Sequence, residues 1–112
     1  MINICVDEAY AFDFLSILEI KKNKSQQSMT SWSNCFNYIK AQLPNDLFIL
    51  IINSQEYRQI VTANQKTFNA VEMAKHDKIS AKEVDDANME RHYAKIALQN
   101  KFFTNKITEY KT

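Results

Sequence analysis

A chain of 112 residues with no glycine, and with one proline at Pro44, has few ways to turn sharply. Average glycine usage near 7% would place about eight in a chain of this length. Without them no residue enters φ > 0 cheaply, so two-residue hairpin turns and left-handed helix caps become costly. Glycine-rich phosphate loops and glycine nucleophile elbows are excluded as motifs. Helices joined by short polar linkers are what such a chain forms most readily. The expected fold is all-α: one domain of three to four helices over residues 1–112, the last two forming a long antiparallel hairpin.

Hydrophobic residues at 46% and charged residues at 24% are the composition of a globular chain. A formal charge of +1 offers no bulk attraction to nucleic acid or an acidic membrane, so neither is expected as a partner. Local runs place acids before bases: Asp7, Glu8, Asp13 and Glu19 precede Lys21, Lys22 and Lys24. Likewise Glu83, Asp85 and Asp86 precede Lys101, Lys106 and Lys111. That order suits the helix macrodipole and reads first as helix polarity. Residues 1–6 lack the basic start of a signal peptide. The longest apolar run, residues 47–52, is far short of the roughly twenty residues of a membrane span. A cytoplasmic compartment is expected, and Cys5 and Cys35 are expected there as free thiols with no metal or redox spacing.

Four segments carry helical patterns. The first starts at Asp7 as N-cap and runs to about residue 23. Its apolar residues, from Tyr10 and Phe12 to Leu18 and Ile20, cover more than one stripe, which implies burial on more than one side. A second helix over about 29–42 presents Trp32, Phe36 and Ile39 and stops before Pro44. The third, over about 46–75, would reach about 45 Å as one helix. Its 3–4 spacing runs through Leu47, Leu50, Ser54, Tyr57, Val61, Asn64, Phe68 and Val71, a coiled-coil-like seam with two polar interruptions. Residues 47–52 would also suit a buried strand paired with residues 2–6, an alternative to helix. In the fourth, Ser80-Ala-Lys-Glu83 is a capping box, with Ile79 and Val84 as its staple. The helix is expected to run almost to Thr112, along a seam of Met89, Tyr93, Ile96, Asn100, Phe103, Ile107 and Tyr110. Asn64 and Asn100 would both sit at seam positions of the hairpin and fix its register.

The segment Asp7-Glu-Ala-Tyr-Ala-Phe-Asp13, running into Leu15-Ser-Ile-Leu-Glu-Ile-Lys21, resembles the opening of a group of small uncharacterised bacterial and phage helical proteins. The resemblance implies a small helical protein, phage-related, and carries no biochemistry.

Candidate site residues are Glu19, Asn64, Asn88, Arg91 and Lys95. Asn88, Arg91 and Lys95, spaced three and four, share a face of the fourth helix with Val84, Leu98 and Phe102. Basic groups in an apolar stripe need a carboxylate or an anionic ligand, because an unpaired buried charge is expensive. Glu19 is the expected carboxylate, in a register-setting ion pair. The alternative is a small-anion site in which Arg91 and Lys95 grip a phosphate or sugar phosphate. No metal site is expected, since His76 and His92 lie in no zinc spacing. Glu83-Val-Asp-Asp86 has the E-x-x-D spacing of magnesium-binding helical pyrophosphohydrolases, but the matching E-x-x-E is missing and the capping box accounts for Glu83. No catalytic residue and no cofactor are expected. The excess of helical apolar surface points to a non-enzymatic module that forms homo-oligomers or binds a protein partner.

Overall fold

A computed structural model of the chain describes residue 2 and residues 4–104, and these contain five α-helices and no strand. They are α1 (Glu8–Lys21), α2 (Gln26–Gln42), α3 (Asn45–Ile52), α4 (Gln55–Lys75) and α5 (Ala81–Phe102). No helix among the described residues is long and apolar enough to cross a membrane.

Serine and proline chemistry sets most of the helix boundaries. The hydroxyls of Ser25, Ser54 and Ser80 each accept the backbone N–H three residues on, at 3.0, 3.0 and 3.3 Å, and so start α2, α4 and α5. Leu43, pushed into extended backbone (φ −124°, ψ 155°) ahead of Pro44, ends α2. The expected single helix over 46–75 is therefore two. Ser54 is not a polar interruption of a seam but the cap at which the chain breaks and restarts. Residues 47–52 lie in α3 and form no strand.

The linker between α4 and α5 meets the lack of glycine directly. Asp77 takes the left-handed conformation (φ 56°) that glycine usually supplies. Around it the Lys78 N–H donates to Met73 O at 2.9 Å and the Asp77 N–H to Ala74 O at 3.1 Å, the paired bonds of a Schellman turn. This turn reverses the chain, and α4 and α5 form the most extensive helix pair of the fold. Their contacts run antiparallel: Thr67 with Ala87, Lys66 with Glu90, Glu56 with Lys101.

The hairpin seam lies elsewhere on both helices than the large apolar residues suggest. On α4 the buried residues are Tyr57, Ile60, Ala63, Asn64, Thr67 and Ala70. On α5 they are Ala87, Lys95, Leu98 and Gln99, whereas Met89 and Tyr93 are 42% and 62% exposed. Small residues win this interface because they let the helices come close. The Thr67 hydroxyl, bonded to Ala63 O within its own helix, also reaches Ala87 O on the neighbour at 3.3 Å. Asn64 is fully buried while Asn100 is exposed, so the two do not share a seam. The helix ends at Phe102, with Phe103 extended (φ −132°, ψ 152°). The expected seam positions Ile107 and Tyr110 lie outside the described residues.

On the other side an aromatic chain ties the remaining helices together. Phe12 of α1 lies 6.1 Å from both Phe48 of α3 and Tyr57 of α4, and Phe48 meets Phe36 of α2 edge-on at 5.0 Å. Trp32 extends the chain toward solvent, its ring 4.3 Å below the Lys22 ammonium. Nearby, α2 carries Cys35 half-buried, and burial pushes its thiol up from its ordinary pKa. Cys5 is exposed ahead of α1.

Two outcomes follow from this geometry. Asp77→Gly relieves the left-handed strain and removes a negative charge from a helix C-terminus, so it should stabilise the fold by about 0.5–1 kcal/mol. Thermal melts should show this as a rise of roughly 2–5 °C; an unchanged or lower midpoint would mean that Asp77 is not strained. Under native conditions at pH 8, a maleimide should label Cys5 before Cys35 by about tenfold or more, because the thiolate is the nucleophile. Equal rates by peptide mass spectrometry would contradict the burial of Cys35.

A candidate site in the polar core between three helices

The buried interior of this small fold contains an uncommon amount of polar chemistry. Asp13, Ser16, Asn64, Thr67, Lys95 and Gln99 are all buried. Two side chains from different helices, Arg91 and Asn64, converge on one carboxylate. Arg91 of α5 grips Asp13 of α1 in a fork, its Nε–H donating to Oδ1 at 3.3 Å and its terminal NH2 to Oδ2 at 2.9 Å. Asn64 of α4 donates to the same Oδ1 at 2.8 Å and to Ser16 Oγ at 2.7 Å. The Ser16 hydroxyl in turn donates to Asp13 O at 2.7 Å. Since Ser16 spends its proton there, its oxygen is free to accept from Asn64, which fixes the orientation of the amide. The side chains of Asp13 and Arg91 are 8% and 29% exposed. Burying a carboxylate is costly unless several charge-assisted hydrogen bonds replace its lost hydration. Asn64 Oδ1 is a buried acceptor with no hydrogen-bond partner among the described residues.

A second polar cluster sits where α5 meets the start of α1. Gln99 is fully buried; its Oε1 accepts the Ala9 N–H at 2.8 Å and its Nε2 donates to Glu8 Oε1 at 2.8 Å. The first turn of a helix has N–H groups with no partner of its own. Here one of them is met by a side chain ninety residues away, while the Asp7 side chain makes no capping bond. One turn before Gln99, the buried Lys95 holds its ammonium 4.4 Å from the centroid of the Tyr10 ring. No carboxylate among the described residues pairs with it.

Of the five residues singled out from the sequence, Arg91 and Asn64 meet at Asp13, and Lys95 lies one turn along on the same side of α5. Glu19 and Asn88 stand apart. Glu19 accepts from the Tyr57 hydroxyl at 3.2 Å and from Arg58 at 3.3 Å. It cannot reach Arg91, because six residues of helix set it about 9 Å along the axis from Asp13 and on a different side. Its pairing with Arg58, which is 61% exposed, contributes little. Tyr57 itself is buried, and burial first, then the Glu19 charge, raises its phenol pKa, so it remains a donor. Asn88 is exposed and bonds back to Val84 O within its own helix at 3.3 Å.

Asp13, Ser16, Gln99 and Tyr10 are the members that sequence reasoning passed over. Asp13 had a usable signal. It is the one acid set between two phenylalanines in the apolar part of the first helix, and Ala9, Asp13 and Ser16 repeat at the four–three spacing of a single face. Gln99 carried none, since its value lies in reaching another helix. Among the described residues no group of three or more His, Cys, Asp or Glu is placed to hold a metal ion.

The fork makes Arg91 a structural partner of a carboxylate, and the consequence is measurable. Asp13→Ala and Arg91→Ala should each cost about 2–4 kcal/mol by urea denaturation, slightly below the range for a fully buried pair because Arg91 keeps some exposure. The double variant should cost clearly less than the sum, with a coupling above about 1 kcal/mol. Additive losses would show that the two groups act independently.

No protein-family model matches this chain, and neither a curated protein sequence nor a solved structure is similar to it.

Proposed function

We propose that this chain works by binding protein, through self-association or through a protein partner, rather than by binding a small anion or catalysing a reaction. The observation that carries this is the engagement of Arg91. An incoming phosphate would have to displace a carboxylate that is already bidentate, buried and held by a second helix through Asn64. Uncommitted surface lies instead on the outer face of the α4–α5 hairpin. Met73 and Tyr93 are exposed there, each lining one of two adjoining grooves of about 820 and 600 Å³. Large exposed aromatic and methionine side chains around a concave surface are typical of protein contact sites.

The second reading is a small-anion site at Lys95, favoured by one observation: its ammonium is buried against Tyr10 with no carboxylate paired to it among the described residues. A thermal-shift series with phosphate, nucleotides and sugar phosphates separates the two. A ligand at a hundred times its dissociation constant stabilises by about 2.7 kcal/mol, a shift of several degrees. The protein-binding reading expects no shift with any of them. A shift that vanishes in Lys95→Met but persists in the native chain would replace it with the anion reading.

A further inference from the structure

We draw no further inference here: the strongest candidate, the open groove along the outer face of α4 and α5 that Met73 and Tyr93 line, carries nothing because its charged residues Arg58, Lys66 and Asp86 are paired within the chain, with Glu19, Glu90 and Lys82, and nothing in the structure shows what covers it.

Discussion

One buried carboxylate organises the packing of this fold. Asp13 accepts from α4 through Asn64 and from α5 through Arg91, so the relative rotation of three helices is referred to two oxygen atoms. Apolar contacts alone would not discriminate so sharply. A helix such as α1, apolar on several sides, can bury similar area in many orientations, and area-proportional stabilisation barely distinguishes among them. Turning α1 by one residue would leave the Asp13 charge in an apolar layer, at a cost of several kcal/mol. The aromatic chain from Trp32 to Tyr57 then packs around an orientation already chosen. The order matters physically: hydrophobic burial supplies most of the stabilisation, and the polar core decides which buried arrangement receives it.

The absence of glycine shows in how the ends of helices are completed. Three serines cap α2, α4 and α5 by the same local bond, and an aspartate occupies the left-handed position after α4. The start of α1 is different, because Gln99 reaches across from α5 to meet the Ala9 N–H. That makes the first turn of α1 dependent on tertiary structure, where a local cap would make it autonomous. Local and long-range order are thereby coupled in a chain whose turns have little freedom of their own.

Much of this architecture could be read from residue pattern, and the parts that could not share a cause. The helical class, the stop before Pro44, the Ser80 cap and the place of Arg91 on a half-buried face all follow from local chemistry. The break at Ser54 was hidden because the 3–4 apolar spacing continues through it, so a capping serine looked like a polar residue within a seam. The α5 seam was assigned to Met89 and Tyr93 because they are large and apolar. Close helix packing instead selected Ala87, Ala94 and Leu98. Within the site, Arg91 and Asn64 announced themselves as polar residues on apolar faces. Their shared partner did not, because choosing Asp13 over Glu19 requires knowing how α1 is turned, which depends on the packing itself.

The polarity of α5 links these observations. Its inner side mixes Arg91, Lys95 and Gln99 with Ala87 and Leu98, and its outer side sets Tyr93 and Ala97 among Glu83, Asp86 and Glu90, so the helix is not divided into one apolar and one polar face. Arg91 and Gln99 are met by hydrogen bonds to α1, and Lys95 lies against the Tyr10 ring. Tyr93, 62% exposed, leaves most of its ring in water. Polar atoms inside select a unique packing. The Asp13–Arg91 fork thus fixes how α5 is turned against α1, and with it which residues the hairpin presents on its outer face.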